Sequence, residues 1–334
     1  MATRRSLDED DIRIRPARST RPRTKDRPDY SKAPQAMVIA VDRGRTTCVL
    51  ADNAVRVTAM KSRELGKKSV VVGDQVALVG DTSGSDGSLA RIVTVLPRKN
   101  ALTRTIDDNP SEERMIVANV DQMAIVIAAA NPEPRHGFVD RALVVAFDQG
   151  IKPIIVLTKR DLADGRNFLA AYDDLDIAVL EIERGGDLTQ IRQTFRNKRT
   201  VLLGHSGVGK STLVNAIIKS ADRLTGDVND VTGRGRHTSS SAVALKLDDV
   251  TDESGDTHLD SGWVIDTPGV RSFGVAHVNI QRVIGAFSEF ADVINLCPKN
   301  CSHNDQSCAL NTWQGFDASQ HSRLSSLRRL LASD

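Results

Sequence analysis

The residues Gly204-His205-Ser206-Gly207-Val208-Gly209-Lys210-Ser211, with Thr212 following, fit the pattern G-x-x-x-x-G-K-[ST]. Glycines at these positions let the backbone wrap so that its N–H groups point inward at phosphate oxygens. A helix starting near Lys210 would add its positive N-terminal end. Lys210 would bridge the β- and γ-phosphates of a nucleoside triphosphate, and the Ser211 hydroxyl would ligate Mg²⁺. The apolar run Val201-Leu202-Leu203 before the loop reads as the strand this chemistry needs.

Two further motifs give the nucleotide a cation and a base. Asp266-Thr267-Pro268-Gly269 ends the run Trp263-Val264-Ile265. An Asp at a strand end can hold Mg²⁺ through water, and the Gly269 N–H can meet the γ-phosphate. Upstream, Thr158-Lys159-Arg160-Asp161 follows Ile154-Ile155-Val156-Leu157. Asp161 there can accept two hydrogen bonds from the N1–H and N2–H₂ edge of guanine, a pair that adenine does not offer. Lys159 would lie along the base. Thr158 stands where Asn is usual and cannot copy an amide's two-sided contact. A standard guanine-nucleotide domain reads phosphate loop, D-x-x-G, then N-K-x-D. Here the guanine motif comes first, so the domain reads as circularly permuted, which is tolerable because domain termini often lie close together.

A third constellation is Cys297-x₃-Cys301-x-His303-x₄-Cys308. Three thiolates and one imidazole make a closed tetrahedral set for a structural Zn²⁺, with no open position for catalysis. Cys48, far from the others, reads as an ordinary buried residue.

These motifs need a scaffold, and the chain of 334 residues is long enough for two or three domains. Apolar residues make up 40% and charged residues 26%, which excludes wholesale disorder. Aromatic residues are only 4%, which weakens any base-stacking mode. The run from Met123 to Ala130 is far shorter than the ~20 residues a membrane helix needs. The N-terminus has no apolar secretory segment, so a soluble, cytoplasmic protein without a membrane partner is expected. Residues 1–35 are charged and carry four prolines, and they read as a disordered arm. Positions 12–28 are net +6, leaving −4 on the rest, which points the arm at a polyanion.

Residues 36–98 hold five short β-type runs, MVIAV, TTCVL, AVRVTAM, VALVG and LARIVTVL, which fit an OB-type barrel; an SH3-like barrel would read almost the same. Residues 99–275 alternate strand and helix, with strands at 123–129, 153–157, 177–182, 200–203 and 264–266 and helices at 138–149 and 210–219, giving an α/β fold with a mainly parallel sheet. Residues 276–334 should hold helices at 280–294 and 320–331 around the Cys/His cluster. Such a core would be too small alone, and a bound metal would supply what is missing.

The permuted order, TKRD, GHSGVGKST, Gly233-Arg234-Gly235-Arg236-His237-Thr238, DTPGVRSFG and the cysteine cluster together resemble one family, the ribosome small-subunit-dependent GTPase A (RsgA/YjeQ). The resemblance covers nearly all of 35–334. It implies an OB-type barrel, a circularly permuted P-loop GTPase domain and a C-terminal helical zinc-binding domain. It also implies a monomer that binds GTP and GDP with Mg²⁺, and that acts on the small (30S) ribosomal subunit and its 16S rRNA late in maturation. The subunit would stimulate slow GTP hydrolysis, and hydrolysis would drive release. The family usually carries Ser-Ala-like residues after the next strand; here the region reads Val179-Leu180-Glu181-Ile182-Glu183-Arg184, and no contact is assigned.

After D-x-x-G a Ras-like enzyme places a Gln to orient water, but this chain has Val270. His237, which the resemblance also favours, is the expected replacement. Thr238, with Ser239 as its rival, is expected to sense Mg²⁺ and the γ-phosphate. Because D-x-x-G runs within about ten residues into the zinc-binding part, loss of the γ-phosphate is expected to reposition that part. A scaffold in which nucleotide only gates RNA affinity is the alternative from another class. A small-molecule kinase would leave TKRD unexplained.

Overall fold

The computed structural model describes residues 29–42, 44–66, 69–106, 109–218, 242–248, 250–251, 257–258, 262–267, 278–299, 301–313 and 315–332. Most of the expected arm lies outside the described residues.

Alternation of apolar and polar residues builds the N-terminal barrel from β1 (Gln35–Asp42), β2 (Arg45–Leu50), β3 (Arg56–Lys61), β4 (Gln75–Gly80) and β5 (Ala90–Val95). Strand β1 pairs with both β2 and β4, and β3 runs parallel to β5, so the order 1-2-3-5-4 closes on itself. That closure is the OB arrangement rather than the SH3-like one. Every second residue points inward, among them Val38, Cys48, Val57, Leu78 and Ile92. Burial pushes the Cys48 thiol up to about 12, as befits a core residue.

An antiparallel hairpin, β6 (Ala101–Ile106) and β7 (Asn109–Ala118), follows where strand–helix alternation was expected. Its base is closed by a side chain that imitates a strand. Asn100 Oδ1 accepts from Val120 N, and Asn100 Nδ2 donates to Val120 O, both at 2.8 Å.

The central sheet holds β8 (Gln122–Ala128), β9 (Lys152–Thr158), β10 (Ala178–Glu181), β11 (Arg199–Leu203), β12 (Val243–Lys246) and β15 (Trp263–Asp266). Its order is β10-β9-β8-β11-β15, all parallel, and antiparallel β12 joins it to β1 of the barrel through Ala40 and Val243. The pair β13 (Val250–Thr251) and β14 (Thr257–His258) forms a separate ladder. All seven residues of β8 are buried. Met123, Ile125 and Ile127 face one core, while Ala124, Val126 and Ala128 face the other, because a parallel strand is covered on both sides. The helices are α1 (His136–Asp148), α2 (Arg166–Leu169), α3 (Thr189–Phe195), α4 (Lys210–Ile217), α5 (Ile280–Gly285), α6 (Ala291–Ile294) and α7 (Ala318–Leu331).

Two C-terminal expectations need correction. The single helix expected over 280–294 is broken. Helix α5 stops at Gly285, a 3₁₀ turn spans Ser288–Phe290, and α6 resumes after it. The tighter turn eclipses residues three apart, so buried Phe287 and Phe290 stack with centroids 6.3 Å apart at 11°. Helix α7 starts two residues earlier than expected, at a capping box in which Asp317 and Gln320 exchange hydrogen bonds. The C-terminal part is also held by packing, beyond what a metal would supply. Val283, Phe287, Phe290, Leu324 and Leu327 share one hydrophobic core with Ile125, Val139 and Leu143 of the central sheet and α1. Repositioning these helices as a body would open that core, so the expected swing of the C-terminal part is not supported by the packing.

Candidate functional site

The loop expected to hold phosphate, residues 204–209, lies between β11 and α4. Gly207 and Gly209 take φ of +82° and +97°, left-handed angles that side chains resist. Gly204 is needed for space: a Cβ there would sit 2.4 Å from the Val126 carbonyl oxygen. Lys210 Nζ donates to the Gly204 and His205 carbonyls at 2.5 and 2.9 Å, curling over the loop. Ser206, Ser211 and Thr212 are exposed on its open side, and Val208 is buried beneath it. The His205 ring leans on Phe138 of α1, with centroids 4.4 Å apart.

Beside the loop, β15 brings Asp266 level with Leu202 of β11. The Thr267 hydroxyl donates to the Leu202 carbonyl at 2.8 Å and pins this strand end. Asp266 Oδ1 is buried and has no hydrogen-bond partner among the described residues. Burial raises the Asp266 carboxyl above the usual carboxylate range, with Lys210 pulling it back. Burial likewise lowers Lys210, and Asp266 opposes that shift. A bound Mg²⁺ nucleotide would relieve both, bringing its cation to the orphaned carboxylate oxygen and its anion to the ammonium. The residues present therefore fit Mg²⁺.

Residues 158–161, the expected guanine motif, precede the loop in sequence and meet it in space. The Thr158 hydroxyl sits 2.6 Å from the Val208 carbonyl and 3.1 Å from that of Ile127. One hydroxyl proton serves one acceptor at a time, and the shorter contact ties the end of β9 to the phosphate loop. Lys159 adopts a left-handed φ of +56°, and its ammonium donates to the Asn131 carbonyl. Arg160 turns elsewhere. It pairs with Glu181 at 2.5 Å and Asp164 at 2.6 Å, bracing the motif without lining the cavity.

That cavity holds about 480 Å³, within the range of small-molecule sites. Thr158, Lys159, Asp161 and Leu162 form one wall, Gly209 and Thr212 another. The third wall is Ile182 to Gly186, the loop to which no contact was assigned from sequence. Its signal was the pair Gly185-Gly186 after β10. Gly185 has φ +76°, and Gly186 N donates to Glu183 O at 3.2 Å, closing a turn on the cavity. Leu162 is 54% exposed and offers an apolar surface there. His237, Thr238, Ser239, Gly269 and Val270 lie outside the described residues.

Cys297, Cys301, His303 and Cys308 come together with their ligand atoms all within 4.8 Å of one another. Cys297 Sγ lies 3.7 Å from His303 Nδ1 and 3.8 Å from Cys308 Sγ, and Cys308 Sγ lies 3.8 Å from the same Nδ1. A tetrahedral zinc site has ligand–ligand edges of about 3.5–3.8 Å. His303 has a left-handed φ of +61°. The loop is braced by Asp305, which accepts from Ser302 and Ser307, and by Arg328 Nε, 3.3 Å from the His303 carbonyl. Four soft and borderline donors at this spacing could hold a metal ion.

Comparison with known proteins gives the family and the fold. The RsgA GTPase family model matches residues 95–276. The small ribosomal subunit biogenesis GTPase RsgA of Pseudomonas fluorescens SBW25 is 34% identical over 275 residues, covering 79% of this chain and 75% of the relative. The protein of that name in Pseudomonas syringae pv. tomato is 33% identical, covering 84% and 82%. Among solved structures, YjeQ from Thermotoga maritima superposes with a TM-score of 0.60 at 23% identity, covering 90% of this chain and 99% of that one. YloQ, described as a circularly permuted GTPase, gives 0.59 at 20% identity, covering 94% and 98%. Matched by the family model over more than half its length, and by these relatives over more than three quarters of it, the chain belongs to the RsgA GTPase family.

Proposed function

We propose that this protein binds GTP with Mg²⁺, hydrolyses it to GDP and phosphate, and uses the cycle in maturation of the small ribosomal subunit, with the subunit stimulating hydrolysis. The observation that carries the nucleotide reading is the Thr158–Val208 hydrogen bond, which joins a guanine motif and a phosphate loop at one cavity although their order is reversed. The ribosomal assignment rests on the names of the relatives. Among the described residues no helix is long and apolar enough to cross a membrane, and a ribosomal partner argues for the cytoplasm.

In this reading Asp161 selects guanine and the turn at 183–186 covers the base. Lys210 and the loop N–H groups hold the phosphates. Ser211 and Asp266 would hold Mg²⁺, which would supply charge neutralisation at the phosphate oxygens. Water attacks the γ-phosphorus as its bond to the bridging β–γ oxygen breaks, and His237 orients that water. Thr238 and the Gly269 N–H report on the γ-phosphate. Competition of GTP, GDP and ATP for a fluorescent guanine nucleotide tests the reading; equal displacement by ATP contradicts it.

Ser211→Ala is expected to lower hydrolysis most at low Mg²⁺, with rising Mg²⁺ restoring part of it, because one metal ligand is lost. Parental rates at low Mg²⁺ would remove Ser211 from the metal site.

The Cys/His cluster is proposed to hold one structural Zn²⁺, and the parts of the chain to divide as 36–98, 99–275 and 276–334. Cys301→Ala or chelation should release zinc, open 297–312 to proteolysis and weaken subunit binding. Helices α5 and α7 should persist, because they share the central core, and intrinsic hydrolysis should largely survive. Elemental analysis showing no metal in a protein whose 297–312 loop resists protease would contradict this.

A further inference from the structure

Helix α1 begins without the usual devices. Its N-cap, Arg135, makes no side-chain hydrogen bond to the first turn, and that turn carries no acid. Side chains from elsewhere hold it instead. The His136 ring stacks on Phe168 at 4.1 Å, and its Nδ1 lies 3.0 Å from the Tyr172 hydroxyl. One turn on, Asp140 is only 3% exposed and faces Arg329 of α7, with Oδ2 and Nε 3.4 Å apart. Asp140 Oδ1 and Arg329 Nε complete no hydrogen bond among the described residues, so charge attraction joins this pair, and the Tyr172 hydroxyl is the second partner of the carboxylate. Arg329 is itself fixed: Nη2 donates to the Ala171 carbonyl at 2.8 Å, and the guanidinium lies 5.0 Å over the Tyr172 ring.

The same turn of α1 supports the phosphate loop. Phe138 sits between His136 and Asp140 in sequence, is buried, and carries the ring on which His205 leans. We propose that Arg329 is a positioning residue for nucleotide binding: by holding Asp140 it fixes the first turn of α1 and, through Phe138, the phosphate loop. This rests on the reading of 204–211 as a nucleotide-binding loop. The last helix of the chain then belongs to the nucleotide-binding machinery although it does not line the cavity. The next-door Arg328 donates to the His303 carbonyl at 3.3 Å and to Asn311 Oδ1 at 2.6 Å, so one stretch of α7 holds both the metal loop and α1.

Stability and affinity separate positioning from simple charge compensation. Arg329→Met leaves the Asp140 carboxylate buried without its cation, with only the Tyr172 hydroxyl and His136 beside it, and should lower the melting temperature. Adding Asp140→Leu removes both charges, which is often nearly neutral, and should restore it. The dissociation constant of a fluorescent GDP analogue, measured on full-length, metal-loaded protein, should nonetheless stay about five- to twenty-fold above the parent's in the double variant. Arg329→Lys is the second arm. It keeps the charge but not the planar fork that meets Asp140 with Nε and Ala171 with Nη2 while lying over Tyr172, and should bind GDP several-fold more weakly than the parent. Recovery of affinity together with melting temperature in the double variant, or parental affinity in Arg329→Lys, would overturn the proposal. A parent protein that binds no GDP would instead overturn the nucleotide reading beneath it.

Discussion

Asp161→Asn is expected to lower GTP affinity by about 10²-fold or more and to admit xanthosine triphosphate. Asp161 is exposed on the wall of the cavity that Thr158 and Lys159 share with the phosphate loop. Its carboxylate can accept from guanine N1–H and N2–H₂ together, and each hydrogen bond to a charged group contributes about 1.5–3 kcal/mol. Two of them amount to roughly 3–6 kcal/mol, or about 10²–10⁴ in affinity. An asparagine keeps the shape but presents an N–H₂ where one acceptor stood. Xanthine has an oxygen at C2 and accepts from that amide, so the loss for GTP becomes a gain for XTP. Titration of both nucleotides against parent and variant checks this. Unchanged GTP affinity would detach TKRD from the base.

His237→Ala is expected to leave GTP binding and subunit association nearly intact while removing most subunit-stimulated turnover. Val270 carries no polar group to orient water, so another residue must do so once the partner is bound. His237 adjoins Thr238, the residue expected at the γ-phosphate. Loss of one positioning group typically costs ~10²–10³ in rate, or roughly 3–4 kcal/mol. Single-turnover hydrolysis with small subunits present measures it directly. Near-parental stimulated rates would assign the water to ribosomal RNA or another side chain.

The chemistry-bearing residues were legible because their geometry is local. The Cys/His set is contained in one loop, and its ligand atoms come together as their spacing implied; the glycines and the lysine of 204–211 likewise fall in one turn between β11 and α4, with Lys210 over the Gly204 carbonyl. Barrel strands were legible through period-2 alternation, but closure of β3 against β5 depends on pairing between distant runs, which alternation does not encode. The break at 286–290 was hidden because Val283, Ile284, Phe287, Phe290 and Val293 suit an unbroken helix as well as a 3₁₀-interrupted one. The cavity wall at 182–186 was missed because its Gly185-Gly186 turn works through backbone shape and carries no recognisable side chain. The Asp140–Arg329 pair joins residues of two separate helices, and no local pattern links them. The shared C-terminal core was likewise invisible, since each helix shows its apolar face but not what that face meets.

The most direct test is steady-state GTP turnover by the metal-loaded protein, measured alone, with purified small ribosomal subunits, and with large subunits, in parallel with ATP. The expected result is slow hydrolysis of GTP alone, strong stimulation by small subunits only, and no comparable turnover of ATP. Hydrolysis indifferent to small subunits, or equal for ATP and GTP, would contradict the account.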